Sequence, residues 1–322
     1  MIIMQGRSAH EQYRNSLDRI MQQGAGVEVR GLQTKELLDV ATVIAEPWHH
    51  CHFVPGRRWN PWIAMSEALW ILAGRDDLAP LLPYNKRMAE FSDDGKYLYG
   101  AYGLRIAEQI PTLIERLEKD PNDRRAVLAI WNQRDLIADT ADPPCNTQIM
   151  FKLRDNKLHM TVLNRSNDLH WGLYGVNLPT FGILQDWLAA RLGVQMGTQT
   201  HLSNSLHIYT GGRGMKENWA ITERMMARSF EALPEMPIHE RAFTAQVQLD
   251  TLVEACNIAL DIEDKLQAPQ IPFLEFADDF LQMHRESGKA LWKWDDLRHH
   301  DKYWDWCMAA RIWKEEGEDR FR

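Results

Sequence analysis

Residues 142–168 read DPPCNTQIMFKLRDNKLHMTVLNRSND, and this stretch decides how the chain folds. Apolar and polar residues alternate over 149–153, four polar residues follow, and the alternation returns over 158–162. Alternation on both sides of a short polar turn is typical of an antiparallel hairpin. Proline does not sit inside a central strand, so Pro143 and Pro144 place Cys145 at the entrance of the first strand.

The register of this hairpin brings a cysteine close to an arginine. A turn centred between Asp155 and Asn156 pairs residues whose numbers add up to about 311, so Cys145 faces Ser166 at about 5 Å, with Arg165 beside it. A nearby guanidinium favours the thiolate form of a cysteine, whose ordinary pKa is about 8.5. The pattern predicts an activated sulfur next to an Arg-Ser pair that binds an anion. Spacing alone also allows a structural cysteine with an arginine at a strand end.

A set of motifs in this region is similar to a known family. The motifs are Pro144-Cys145, Arg165-Ser166-Asn167-Asp168, Gly172-Leu173 with Asn177, and His207-Ile208-Tyr209. Further motifs lie upstream: Glu67 in Ser-Glu-Ala-Leu-Trp, Arg124-Arg125, Trp131-Asn132 and Asp135-Leu136. In order and spacing the chain resembles thymidylate synthase and its pyrimidine nucleotide hydroxymethylase relatives over about residues 20–210. The combination is specific, although no single motif is.

The resemblance implies an α+β fold with three layers around a mixed sheet for the catalytic core, residues 1–214. Beyond Thr210 the chain departs from the synthase pattern, and helical periodicity recurs around 215–230, 240–265, 272–286 and 297–316. We therefore expect residues 215–322 to form a helical C-terminal region that packs on the same domain. The tryptophans of its last segment, Trp304, Trp306 and Trp313, are interpreted as core residues rather than as a cofactor site.

The resemblance also implies which residues are catalytic. Cys145 is the nucleophile that adds to C6 of a pyrimidine, and Asp168 belongs to the same catalytic set. Glu67 moves protons through ordered water, and Tyr99 helps to organise that water. An asparagine amide offers one donor and one acceptor group, which matches N3–H and O4 of uracil, so Asn177 indicates a uridine nucleotide.

The substrate-binding residues follow from the same comparison. Arg165 and Ser166 bind the phosphate, and Arg30, in a loop after a predicted strand, closes over it. His207 and Tyr209 lie on one face of a strand and bind the 3′-hydroxyl of deoxyribose. We therefore expect a deoxyribonucleotide.

Arg124 and Arg125 are adjacent, so on a strand their side chains point in opposite directions. In the family such a pair reaches across a dimer interface to the phosphate site of the other subunit. The resemblance implies a homodimer with shared active sites, and the alternative is a charge pair that faces solvent.

The implied cofactor is 5,10-methylenetetrahydrofolate, with dUMP as the nucleotide. Hydride transfer would give thymidylate, whereas water addition would give 5-hydroxymethyl-dUMP. Three differences from the synthases favour water: Tyr84-Asn85-Lys86-Arg87 replaces a tryptophan-rich segment, Asn146 follows the cysteine where synthases carry histidine, and the chain ends in the polar residues 318–322. A hydroxymethylase is therefore the main hypothesis. The alternatives are a thymidylate synthase, a cytidylate hydroxymethylase and a nucleotide-binding paralogue without activity.

Composition narrows the possible functions. The 322 residues are 45% hydrophobic and 25% charged, which is enough for a large core. A net charge of −8 without a basic tract argues against direct binding of nucleic acid. Four widely spaced cysteines without a CxxC motif predict neither a disulfide framework nor a metal site. Without a signal peptide or an apolar run of membrane-spanning length, the expected location is the cytoplasm, that of the host cell for a phage protein.

Overall fold

The computed structural model describes residues 1–213, 215–228, 242–243, 245–261, 271–286, 303, 306–310 and 313. Within these residues one sheet has eight strands: β1 (Ile2–Gly6), β2 (Ala25–Val29), β3 (Leu32–Ile44), β4 (Val127–Ala129), β5 (Asn146–Arg154), β6 (Lys157–Asn164), β7 (Asn167–Asp168) and β8 (Gln195–Gly211). The order across the sheet is β1-β3-β8-β6-β5-β4, with β2 paired to β3 and β7 to β8. Parallel pairs such as β6–β8 occur beside antiparallel ones such as β3–β8, which confirms the mixed sheet.

Helices pack beside the sheet and on one another. The α-helices are α1 (Ala9–Gln23), α2 (Pro61–Leu72), α3 (Tyr102–Ala107), α4 (Ile110–Lys119), α5 (Leu178–Arg191), α6 (Lys216–Met226), α7 (Leu249–Asp261) and α8 (Pro272–Glu286). Short 3-10 helices span Lys86–Phe91 and Gln133–Leu136. α1 and α5 contact the sheet, α2 packs against α5, and α7 and α8 pack against α2. The expected α+β class is confirmed.

The predicted hairpin is formed by β5 and β6. From Gln148 to Arg154 the paired residue numbers add up to 311, as the sequence predicts, and Ile149 therefore faces Val162. Asp155 and Asn156 at the turn have positive φ angles of 50° and 57°, the conformation of a two-residue turn that matches strand twist. The turn chemistry thus sets the register of the central strands.

The helix that carries Glu67 is buried almost all round. Asn60 caps α2 by accepting from the backbone N–H groups of Trp62 and Ile63, and Pro61 occupies its first turn. Every residue of α2 except Glu67 is buried. The reason is cover from the C-terminal helices, as shown by Trp62 Nε1, which donates to the carbonyl of Phe280 at 3.0 Å.

The C-terminal region is helical where the structure describes it. α6, α7 and α8 lie within three of the predicted segments, and residues 306–310 of the fourth are also helical. Trp306 is buried and contacts Trp59 with ring centres 5.9 Å apart, as expected of a core residue. Trp304 and the polar end 318–322 lie outside the described residues. The boundary at residue 214 stays a prediction.

Candidate active site

Cys145 lies beside Arg165, but one residue away from the predicted register. A bulge between Asn146 and Gln148 shifts the pairing, so the carbonyl of Cys145 accepts from the backbone N–H of Arg165 at 2.9 Å. The prediction that Cys145 faces Ser166 directly is therefore wrong by one position. The Nη2 atom of Arg165 is 3.7 Å from Cys145 Sγ, so the predicted cysteine–arginine contact exists.

Arg165 also fixes the segment that precedes the cysteine. Its Nε donates to the carbonyl of Pro144 at 2.9 Å and its Nη2 to that of Pro143 at 2.8 Å. Its guanidinium carbon lies 5.6 Å from the ring centre of Trp131. Since proline also restricts the backbone, the entrance to β5 is rigid.

The electrostatics of Cys145 differ from the expectation. Burial raises the pKa of the thiol above its ordinary value, Arg165 and more weakly Arg30 lower it, and Asp142 raises it. Arg165 thus acts in the predicted direction, but burial outweighs it. Thiolate activation of Cys145 therefore stays a prediction, and the structure shows its sulfur 3.7 Å from the Arg165 guanidinium.

Buried amides form a chain beside the cysteine. Asn146 Nδ2 donates to Asn177 Oδ1 at 3.4 Å, Asn177 Nδ2 to Asn167 Oδ1 at 3.2 Å, and Asn167 Nδ2 to Ser203 Oγ at 3.2 Å. All four residues are buried, and Asn146 Oδ1 has no partner among the described atoms. The chain orients the amide of Asn177, which keeps one N–H and acceptor capacity for a ligand.

Asn177 reaches this position at the end of a π-helix. Residues Leu169–Asn177 form this wide helix, and α5 follows directly. Asp168 caps it by accepting from the backbone N–H of Trp171. π-Helical turns are rare and often occur at functional sites. A Cβ at Gly172 would lie 2.6 Å from Asn167 Oδ1, so glycine permits the close approach.

Two carboxyl groups lie near Cys145. The pKa of Glu67 is raised to about 7, mainly by burial and to a smaller extent by the neighbouring Asp142. Burial likewise raises the pKa of Asp142 to about 6. The backbone N–H of Gly100, which donates to Asp142 Oδ2 at 2.8 Å, opposes this shift by stabilising the carboxylate. Glu67 is partly exposed, so a carboxyl on a buried helix has access to solvent. Sequence reasoning missed Asp142, although its place three residues before the cysteine was a usable signal.

The structure does not bring Tyr99 to Cys145. The Tyr99 hydroxyl donates to Asp135 Oδ1 at 2.9 Å, and the guanidinium of Arg105 lies over its ring. Tyr102 lies at the site instead, because its hydroxyl faces the backbone N–H of Asn146. Burial raises the pKa of Tyr102 well above its ordinary value, and the charges of Cys145, Asp142 and Glu67 raise it further. This segment contains two Tyr-Gly pairs, Tyr99-Gly100 and Tyr102-Gly103, and the sequence-based assignment took the first.

Asp168, His207 and Tyr209 lie together on neighbouring strands. Asp168 of β7 pairs with His207 of β8. The rings of His207 and Tyr209 meet edge to face with centres 5.2 Å apart, as their predicted common face requires. Burial raises the pKa of the Asp168 carboxyl, and His207 opposes the shift. One Asp168 oxygen, Oδ2, is buried without a hydrogen bond from the described residues.

The remaining predicted phosphate ligands occupy different places. Arg30 and Gly31 form the two-residue turn between β2 and β3, both with positive φ, and Arg30 is exposed. The Arg30 charge lowers the pKa of both Cys145 and Tyr209, so the turn lies near the site. Ser166 is partly exposed next to Arg165 in the chain.

Arg124 and Arg125 lie away from Cys145, just before the edge strand β4. Both are exposed, and Arg125 makes two hydrogen bonds of 2.9 Å with Asp123 through Nε and Nη2. Within a single chain they do not join the site.

Residues 84–87, predicted to replace a tryptophan-rich segment of the synthases, contact two different parts of the protein. The Tyr84 hydroxyl accepts from Arg285 Nε of α8 at 2.6 Å. Arg87 lies 5.9 Å from the ring centre of Trp171, and Arg57 lies 5.6 Å from the same ring. Trp171 is partly exposed on the π-helix, which leaves an aromatic surface flanked by cations.

The family comparison agrees with the fold. The chain belongs to the thymidylate synthase family, whose model matches residues 11–261. A deoxyuridylate hydroxymethyltransferase of Bacillus phage SP01 is 36% identical over 233 residues, which are 67% of this chain and 61% of that protein. One of Pseudomonas phage M6 is 39% identical over 177 residues, 53% of this chain and 50% of that protein. The chain thus spans between half and two thirds of the length of these relatives.

The structural comparison agrees on the fold. Thermostable thymidylate synthase A from Bacillus subtilis superimposes with a TM-score of 0.57 at 22% identity, covering 70% of this chain and 86% of that one. No helix among the described residues combines the length and apolarity that crossing a bilayer requires.

Proposed function

We propose that the chain is an enzyme that transfers a one-carbon unit to C5 of dUMP and adds water to give 5-hydroxymethyl-dUMP. The observation that carries this proposal is the position of Cys145 Sγ, 3.7 Å from Arg165 Nη2 and next in sequence to Asn146, which is bonded to Asn177. A nucleophile, a cation and a pyrimidine-reading amide are thus adjacent. The names of the two phage relatives support the same reaction.

Cys145 has to become a thiolate to attack, and binding of the substrate alters its surroundings. In this proposal Sγ bonds to C6 of the pyrimidine, which makes C5 resemble an enolate carbon. Arg165, and Ser166 beside it, hold the phosphate, with Arg30 above them.

Asn177 reads the base, and two groups handle protons. One Asn177 N–H points to uracil O4 and its oxygen to N3–H, so negative charge that develops at O4 meets a fixed donor. Glu67, whose pKa of about 7 lies near physiological pH, exchanges protons with ordered water. We assign to Tyr102, rather than Tyr99, the role of organising that water. Asp168 completes the set beside His207 and Tyr209, which bind the 3′-hydroxyl.

The residues present fit a reduced folate. Trp171 offers a partly exposed ring next to the Arg87 guanidinium, a combination suited to a flat ring system with a carboxylate tail. When bound, 5,10-methylenetetrahydrofolate supplies the one-carbon unit. The role of the chain here is to hold Trp171 by its bond from Nε1 to Asn218 Oδ1 at 2.7 Å.

The proposed enzyme is a homodimer in which Arg124 and Arg125 serve the phosphate site of the other subunit. One face of the sheet carries partly exposed apolar residues on adjacent strands, including Val127, Met150, Leu163 and Leu202. A second copy of the chain would cover this face and bring Arg124 to the other site.

Thymidylate synthase is the second candidate, because the family and the superposition on the Bacillus subtilis enzyme suit it equally. Mass spectrometry of the product from dUMP and 5,10-methylenetetrahydrofolate separates the two. We expect an added CH₂O unit, whereas a methyl product with dihydrofolate identifies a synthase. Turnover of dCMP in place of dUMP would overturn the assignment of Asn177. Absence of tritium release from [5-³H]dUMP would identify a binding protein without activity.

A further inference from the structure

Asp142 is a carboxyl group next to the proposed nucleophile that the steps above do not use. Its Oδ2 accepts from the backbone N–H of Gly100 at 2.8 Å. A Cβ at position 100 would lie 2.5 Å from the carbonyl oxygen of Asp142 and 3.0 Å from Oδ2, so only glycine fits there without displacing the aspartate. Asp142 is partly exposed, and no bond from another described residue reaches its Oδ1. The backbone thus holds one oxygen and leaves the other open to water.

The link from Asp142 to Cys145 is short and stiff. Only Pro143 and Pro144 separate them, and Arg165 donates to both proline carbonyls. Three residue steps span at most about 10 Å. The carboxylate therefore stays at a fixed place within reach of a nucleotide bonded to Cys145.

Asp142 shares its surroundings with the other titratable groups of the site. Its charge acts on Glu67, Cys145 and Tyr102 and raises the pKa of each. The charges of Arg105 and Arg165 favour ionised Asp142, whereas Asp93 opposes it. Asp142, Glu67 and Tyr102 are thus three protonatable groups near Cys145.

We propose that Asp142 is a further catalytic residue, the general base for the water that ends the reaction. This inference rests on the proposed function. The nucleotide then carries an exocyclic methylene at C5 and the Cys145 sulfur at C6. The water oxygen bonds to the methylene carbon, the water proton passes to Asp142, and the electron pair of the double bond moves to C5 and O4. Its return forms the C5–C6 double bond and expels the Cys145 thiolate, so no oxidant or reductant is needed.

The two carboxyl groups suit different tasks. Burial raises the pKa of both carboxyls towards neutrality, to about 6 for Asp142 and about 7 for Glu67. Around neutral pH ionised Asp142 accepts a proton, while part of the Glu67 population is still protonated and can donate to O4. Neighbouring carboxyls with separated pKa values commonly divide acid and base roles in this way.

The test uses the full chain with Asp142→Asn and two readouts in one assay. Asparagine keeps an oxygen for the Gly100 N–H and nearly the same volume. Tritium release from [5-³H]dUMP with the folate present reports all steps up to the exocyclic methylene. Mass spectrometry of the nucleotide reports the water step. The matched control is Asp139→Asn, because Asp139 is an exposed aspartate three positions earlier in the chain.

In a single turnover, with the protein in excess over dUMP, we expect the rate of tritium release to stay within about threefold of the unaltered protein while formation of the hydroxymethyl product slows by about 100-fold or more, the range of a lost general base. The stalled covalent complex, or a methyl nucleotide, should accumulate. Equal loss of both readouts, or no loss of product, would overturn the role of Asp142. If the unaltered protein forms no hydroxymethyl product, the proposed function fails instead. Near-native circular dichroism and dUMP binding of Asp142→Asn separate either result from misfolding.

Discussion

Asn146 donates to Asn177 at 3.4 Å, and this bond fixes which end of the Asn177 amide faces each neighbour. An amide turned by 180° offers its donor and acceptor in exchanged order, which suits cytosine instead of uracil. With Asn167 Oδ1 accepting from the other end of Asn177, the orientation for uracil is held from both sides. In the proposed reaction, base selectivity would therefore depend on residues that need not touch the base.

The first prediction concerns this amide chain. Asn146→Ala removes the donor to Asn177, so the preference for dUMP over dCMP should fall by about tenfold, which corresponds to one hydrogen bond of about 1.4 kcal/mol. Competition between the two nucleotides in one reaction measures the ratio. Asn164→Ala is the control, because Asn164 is a buried amide opposite Asn146 that bonds to Val162 and Leu202 carbonyls. An equal change in both variants would contradict the relay.

The second prediction concerns the nucleophile. Cys145→Ala should abolish tritium release from [5-³H]dUMP, because no sulfur can add to C6, while dUMP binding stays within about threefold since Arg165 remains. Isothermal titration measures the binding. Cys307→Ser, a change at another partly exposed cysteine, should leave turnover unchanged. Turnover by Cys145→Ala would refute covalent catalysis.

The third prediction concerns stability and pH. The pKa of Glu67 is raised from 4.5 to about 7 by folding, so its contribution to stability is complete below about pH 4.5 and is lost as the pH rises through 7. Glu67→Gln removes this loss and should stabilise the protein at pH 8, relative to pH 4.5, by about 2 kcal/mol. Chemical unfolding at both pH values measures the difference. The same gain at both values would show that ionisation of Glu67 is not responsible.

The fourth prediction concerns the shared site. Cys145→Ala and the double variant Arg124→Ala, Arg125→Ala should each be inactive, but random pairing of the two should restore about one quarter of the activity, because one site in each mixed dimer is intact. Co-expression with two affinity tags allows the mixture to be assayed. Cys145→Ala paired with Arg165→Ala is the control. This control mixture should stay inactive, since both residues belong to the same subunit's site. If the mixture of Cys145→Ala with the double arginine variant is also inactive, Arg124 and Arg125 do not serve the site of the other subunit.

The fifth prediction concerns the glycine beneath Asp142. Gly100→Ala places a Cβ 2.5 Å from a backbone oxygen and should lower the free energy of unfolding by about 1–3 kcal/mol. Gly26→Ala, where no atom lies within 4 Å of the added Cβ, should cost little. Denaturant midpoints compare the two, and equal values would show that the contact with Asp142 can relax.

The sequence predicted the hairpin well, because two short polar residues able to adopt positive φ stand between two alternating runs. It did not predict the bulge between Asn146 and Gln148, since no glycine or proline marks it. The shift changes the partner of Cys145 from Ser166 to Arg165. Local turn chemistry is readable from residues, whereas an irregularity inside a strand depends on its neighbours.

The choice between two tyrosines likewise depends on packing. Tyr99-Gly100 and Tyr102-Gly103 are alternatives at the level of sequence, and only packing decides between them. A Cβ at Gly103 would lie 2.6 Å from the carbonyl oxygen of Ile71, so this glycine lets α3 lie against α2, the helix of Glu67. Tyr102-Gly103 therefore faces the site. Asp142 is held at the site because its side chain accepts a hydrogen bond from the backbone N–H of Gly100, a contact between distant residues that composition does not reveal.

The bond between Trp62 and the carbonyl of Phe280 ties the helix of Glu67 to residues more than two hundred positions later. A shortened protein that ended after β8 would expose the indole of Trp62 and one side of α2 to solvent. The late helices therefore support the helix on which the proposed proton transfer depends, and a shortened version of this protein would need a replacement surface for Trp62.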